Sequence, residues 1–75
     1  MTLLKLPVGQ VGKVIGIKGG WGVQQNLTSL SIAPGRRVKR IAMQPMGGPV
    51  MIQVIGGGRI AVGRGMASRV IVRES

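Results

Sequence analysis

Val50-Met51-Ile52-Gln53-Val54-Ile55-Gly56-Gly57-Gly58-Arg59-Ile60-Ala61-Val62 is the stretch that decides the fold class. Val50, Ile52 and Val54 alternate with Met51, Gln53 and Ile55, the period-two pattern of a half-buried strand. Three glycines follow, and glycine accepts the positive φ that tight hairpin turns require. Ile60, Ala61 and Val62 then read as a second short strand. Two short strands about one glycine loop predict a β-hairpin.

The same punctuation continues outward in both directions. Upstream, Pro45 to Gly48 reads as a turn and Arg36 to Gln44 as a strand. In that strand Val38, Arg40 and Ala42 alternate with Arg37, Lys39 and Ile41, so its two faces are not cleanly sorted. Pro34-Gly35 is expected to stop a helix, since proline disfavours helical backbone in the residue before it. That helix is placed at Val23 to Ile32, where Val23, Leu27 and Leu30 fall at i, i+4 and i+7 on one stripe. Gln24, Gln25 and Asn26 fill its wet side. Gly19-Gly20 separates it from a strand over Val11 to Lys18, and Leu3 and Leu6 precede that strand. Downstream, Gly63 to Ser68 reads as a turn or one helical coil. Arg69 to Arg73 closes the chain as a strand, with Val70 and Val72 on one face and Ile71 on the other.

Length and composition fit this reading. Seventy-five residues make a single domain over 1–75, with no room for a deep cleft. A chain of this size buries only about 60% of its unfolded surface, so its stability rests on a small core. Hydrophobic residues make up 44% of the chain, which suits a globular fold and argues against disorder. Fourteen glycines and four prolines between short Val- and Ile-rich runs predict a mostly β barrel or sandwich. No run approaches the ~20 apolar residues of a membrane span. No signal peptide is read at Met1 to Pro7. The cytoplasm is the expected location.

Residue types exclude most chemistry. The chain has no His, Cys or Asp, so neither a nucleophilic triad nor a paired-carboxylate site can be built. No enzyme activity, cofactor or metal site is expected. Ferrous iron takes imidazole, carboxylate or thiolate ligands, and Glu74 is the one acidic side chain. Met43, Met46, Met51 and Met66 read as gap-fillers in a core without Phe or Tyr rather than as a thioether site. Gly56-x-Gly58-x-x-Ala61 matches a loose dinucleotide fingerprint by letter, but a strand follows it where a helix is needed.

What remains is charge. Eleven Lys and Arg against one acid give +10, a surface that favours an anionic partner. Arg36, Arg37, Lys39 and Arg40 form the densest cluster. Three readings stand for it: a solvated strand face, a contact for an acidic protein, or a contact for nucleic acid. The last is disfavoured, because single-strand binders stack bases on several aromatics and Trp21 is the only one here. Trp21 itself, between glycines at the mouth of the helix, either caps the core or projects as an interface anchor.

Read in order, these marks resemble the FeoA family over nearly the whole chain. The resemblance runs through Leu3, Leu6, Gly9, Gly12, Val14, Ile17 and Gly19-Gly20, then Leu27, Leu30, Pro34-Gly35 and Val38. It resumes at Pro45, Gly47, Pro49-Val50, Ile52 and Val54 and ends with Ala67, Ile71 and Val72. It implies a small SH3-like β-barrel of about five short strands, with one short helix inserted after the first. It also implies an accessory role in bacterial ferrous iron uptake, through contact with the cytoplasmic part of a FeoB-type transporter. Trp21, Arg36, Arg37, Lys39 and Arg40 are the candidate contact residues. Related domains occur in metal-dependent repressors, so the alternative is a small basic nucleic-acid-binding barrel or a stand-alone domain of that kind. The chain departs from the family at Gln24, Gln25 and Asn26, where arginine is common, and at Ser31, where glycine is usual. It also departs at Gly63 and Met66, where the family often carries Arg and Glu.

Overall fold

A computed structural model describes residues 1–42 and 47–74. The chain opens with a 3-10 turn at Leu3–Lys5. Strand β1 (Val11–Ile17), helix α1 (Trp21–Ser29), and strands β2 (Arg37–Ala42), β3 (Val50–Val54) and β4 (Arg59–Val62) follow. A one-turn helix α2 (Arg64–Ala67) leads into β5 (Val70–Glu74). The strands form one sheet in the order β4-β3-β2-β1-β5, and every neighbouring pair is antiparallel. The mostly β architecture with one helix after the first strand is therefore as the sequence predicts. Met43, Gln44, Pro45 and Met46 lie outside the described residues, and with them the end of the expected strand, half of the expected turn and two of the four methionines. Of the other two, Met51 is half-buried and Met66 packs against the core.

The hairpin that decided the fold class is present in register, with Val50 opposite Val62 and Ile52 opposite Ile60. Val50, Ile52 and Val54 are buried, while Met51 and Gln53 are only partly covered. Gly56 takes φ +84 inside the loop, and the Gly57 N–H donates to the Val54 carbonyl at 2.8 Å. The glycines thus serve a strand-to-strand turn, not a nucleotide loop.

Two register shifts, between Val14 and Gly16 of β1 and between Arg40 and Ala42 of β2, interrupt the ladder. Such irregularities bend a strand and raise its twist, which curls a small sheet around its own core. Val14, Leu27, Val38, Ile52 and Val72 are fully buried there, with Leu3 and Leu6 of the leading segment sealing one side. The free edge of β5 is covered by the first residues, because Thr2 pairs with Ile71 and the Val72 N–H donates to the Met1 carbonyl at 2.7 Å. Covering an edge in this way removes a template for unwanted strand pairing.

The helix differs from its expected span. It starts two residues earlier, at Trp21, and ends at Ser29 rather than Ile32. Ser31 ends it by adopting φ 69, so that its N–H donates to the Thr28 carbonyl at 2.9 Å and the Ile32 N–H donates to the Leu27 carbonyl at 2.9 Å. This pair of bonds is the Schellman arrangement, and its usual apolar contact is supplied by Leu27 and Ile32, both fully buried. Ile32 thereby takes the core place expected of Leu30, which is left 37% exposed. Pro34-Gly35 forms a separate turn, where the Gly35 N–H donates to the Val14 carbonyl at 2.8 Å. At the other end Gly19 has φ +136, and a Cβ there would lie 2.9 Å from Val23 Cβ, so only glycine lets the helix start so close to β1.

Ser31 is the one residue other than glycine at positive φ among the described residues. Left-handed backbone costs an L-residue about 1–2 kcal/mol, and glycine escapes most of that at some entropic cost. Ser31→Gly is expected to raise stability by about 0.5–1 kcal/mol, read as a higher urea midpoint at unchanged slope. A lower midpoint would mean that the serine hydroxyl stabilises the fold in a way the cap does not explain.

Candidate docking surface

Strand β2 sorts its faces more cleanly than its letters suggest. Val38 and Arg40 are buried; Arg37 and Lys39 are exposed, as is Arg36 just before the strand. Arg40 is therefore corrected as a docking candidate. It is only 9% exposed, and its Nη1 donates to the Leu4 carbonyl at 2.8 Å and the Leu6 carbonyl at 3.0 Å. A long side chain on the inner face was needed to satisfy two carbonyls left by the leading turn, since buried carbonyls without donors are costly. The basic cluster thus splits into three outward cations and one internal staple.

The register assembles a larger surface around the outward three. Arg37 stands opposite Lys13 of β1, and Lys13 stands opposite Arg73 of β5. All three are exposed. Directly opposed residues in an antiparallel pair lie about 4.5–5.5 Å apart, and like charges so placed repel. A second row runs from Lys39 through Gln53 to Arg59. There the Arg59 Nε donates to Gln53 Oε1 at 3.2 Å, which aligns one cation along the sheet. Glu74, the single acid, pairs in register with Gly12 beside the first row. Cations are thus gathered on one sheet face with little internal compensation.

Lys13, Arg59 and Arg73 were not candidates on sequence grounds. Each alternates with a buried valine or stands beside a glycine, but nothing local says that three strands set Arg73, Lys13 and Arg37 side by side. Trp21 is 78% exposed at the first position of α1, so it does not cap the core. With Gln24, Gln25 and Thr28 it lines a shallow furrow along the outer helix face. The structure does not join it to the basic cluster. Arg36 lines a groove with Leu30 and Ser31, at the far end of α1. Nine residues of helix separate the two ends by about 13 Å along the axis.

Among the described residues there is no group of three or more His, Cys, Asp or Glu able to hold a metal ion. No described helix is long and apolar enough to cross a membrane.

Comparison with known proteins agrees with this architecture. The family model for the FeoA domain matches residues 1–74. The chain is similar to a crystal structure described as an iron uptake regulatory protein (FeoA), with 39% identity, TM-score 0.90, and coverage of 100% of this chain and 97% of that one. It is also similar to Stenotrophomonas maltophilia FeoA, described as a procaryotic SH3 domain protein, with 30% identity, TM-score 0.79, and coverage of 97% and 89% of the two chains. A manganese-dependent transcriptional repressor shares the fold at 18% identity and TM-score 0.91, with the whole of this chain matching 36% of the repressor. No curated protein sequence matches the chain. With the SH3-like barrel matched along its length and the family model spanning all but the last residue, the chain belongs to the FeoA family, whose role lies in ferrous iron transport.

Proposed function

We propose that this protein is a non-catalytic accessory component of bacterial ferrous iron uptake. It works in the cytoplasm by docking its basic sheet face on an acidic surface of the cytoplasmic part of a FeoB-type transporter. The observation that carries the reading is the cross-strand row Arg73, Lys13 and Arg37. A fold gains nothing by opposing three cations in register, so the arrangement is most useful to a partner that neutralises it. The residue inventory supports action through another protein, because ligands for ferrous iron are almost wholly missing from the sequence. Trp21, exposed at the helix start, is a second contact at a distance from the cations.

Charge of one sign speeds encounter, while a desolvated aromatic slows departure. The double variant Arg37→Glu with Lys39→Glu is therefore expected to lower the association rate with the isolated transporter domain about tenfold and to flatten its salt dependence. Trp21→Ala is expected to raise the dissociation rate instead. Both variants keep the fold, since all three side chains are exposed. A DNA control runs beside these kinetics. If the charge-reversed protein binds the domain with unchanged kinetics and loses affinity for random DNA, the adaptor reading gives way to nucleic-acid binding.

A further inference from the structure

The groove at the far end of the helix has a chemistry distinct from the sheet face. It has a volume of about 300 Å³ and lies between the turn that closes α1 and the β3–β4 hairpin. That is the small end of ligand sites, with room for one or two side chains. Leu30, Ser31, Arg36, Ile60 and the Gly56–Gly58 loop line it. Two of these are apolar and not fully buried: Leu30 is 37% exposed and Ile60 is half-buried. Among the described residues Arg36 is the only charged one in the lining. Its backbone is fixed on both sides, because its N–H donates to the Ala33 carbonyl at 3.0 Å and its carbonyl accepts from the Val14 N–H at 2.8 Å. The guanidinium therefore projects from a rigid point.

The loop opposite contributes backbone only. A Cβ built at Gly56 or Gly58 would meet nothing within 4 Å, so the space above both is open. The Gly57 carbonyl is taken by Gln53 Nε2 at 2.7 Å, and the Gly57 N–H by the Val54 carbonyl, which hold the loop in shape without filling the groove. A bare, braced backbone facing an apolar patch and one arginine suits a short extended peptide. An apolar side chain would sit on Leu30 and Ile60, with a neighbouring carboxylate on Arg36. A nucleic-acid strand suits it poorly, since the lining offers no aromatic for stacking and one cation for phosphate.

We propose that this groove binds a short acidic peptide segment, an apolar residue beside a Glu or Asp, with Arg36 holding the carboxylate. The proposal deepens the docking reading and rests on it only for the identity of the partner, the segment then belonging to the transporter.

The test is a titration of the isotope-labelled protein, followed through its backbone amide signals, with the blocked tetrapeptide acetyl-Glu-Leu-Glu-Leu-amide. Its Gln-for-Glu counterpart, inorganic phosphate and an eight-residue oligothymidylate serve as controls. The acidic peptide is expected to move the amides of Ser31, Arg36 and Gly56 to Gly58. The Gln counterpart and the Arg36→Gln protein are each expected to bind about tenfold more weakly, as befits loss of a charge-assisted bond. Lys5→Glu, exposed in the leading turn and on neither surface, should leave peptide binding within about twofold. Shifts centred on Lys13 and Arg73, equal binding of the Gln peptide, or a larger response to phosphate or oligothymidylate would each overturn the proposal. Two further outcomes separate it from the docking reading. If Arg36→Gln abolishes peptide binding but leaves the transporter-domain kinetics untouched, the groove stands and its assignment to the transporter falls. If the peptide moves nothing in the groove while charge reversal at Arg37 and Lys39 still slows the domain, the groove falls and the sheet face stands.

Discussion

Ile52→Ala is expected to destabilise the protein by about 2–5 kcal/mol, the usual cost of emptying a fully buried isoleucine site. Ile52 is 0% exposed at the centre of β3, opposite Arg40 on one side and Ile60 on the other. Its neighbours on the strand face, Val50 and Val54, are pinned by the ladder, so they cannot collapse into the space it leaves. A domain of this length is held by about 4–11 kcal/mol in total, so the loss is a large share of what there is. Urea unfolding should give a much lower midpoint with an unchanged slope, because the substitution hardly alters the surface exposed on unfolding. Replacing Gln53 by Ala, one residue along and on the partly covered face, should cost much less. A loss below about 0.5 kcal/mol at Ile52 would contradict the observed alternation of β3.

The β3–β4 hairpin was legible because its information is local. Period-two alternation names the buried face, and three glycines leave only one place for the turn. The helix was less legible, and the reason is physical. Its end is set by Ser31 in a left-handed conformation that serine adopts at a cost, so the residue carries no stop signal of the kind glycine would. The apolar stripe Val23, Leu27, Leu30 then continues by letter into a segment where the backbone has already turned, and Ile32 fills the core instead.

The docking surface was legible only in part for a different reason. Arg36, Arg37 and Lys39 stand together in the sequence, whereas Lys13 and Arg73 join them through strand pairing across distances that no local pattern encodes. Trp21 shows the complementary limit. One aromatic among glycines is compatible with a core cap or with an exposed anchor. Only the position of the helix start, where it is 78% exposed, separates the two.

Arg40 is where the sequence pattern was most misleading, and its replacement should be the second costly change. Its backbone N–H donates to the Gln10 carbonyl at 3.1 Å and its carbonyl accepts from the Gly9 N–H, while Nη1 holds the carbonyls of Leu4 and Leu6. One residue thus fastens the leading segment from Leu4 to Gln10 to β2, while Met1 and Thr2 are held on β5. The position is not free of cost. Nε is buried with no partner among the described residues, and a buried cation loses hydration. Two effects therefore oppose each other on substitution. Arg40→Ala relieves the buried charge but strands two carbonyls, at about 1–3 kcal/mol each, and removes the stem that fills the space beneath them. The carbonyls win, because two bonds to a charged donor outweigh one unsatisfied Nε. Arg40→Ala is expected to cost about 3 kcal/mol, lowering the melting temperature by roughly 12–24 °C for a domain of this size. Arg40→Lys should recover part of the loss, since an ammonium can reach one carbonyl. Arg40→Met should not, because it restores volume without a donor. The loss should also persist at high salt, unlike that of any surface charge. Amide exchange of Leu4 to Gly9 would locate the effect, with protection lost there before it is lost in β3. Equal or greater stability of Arg40→Met would reverse the ranking and show that the buried charge, not the two carbonyls, dominates at this position.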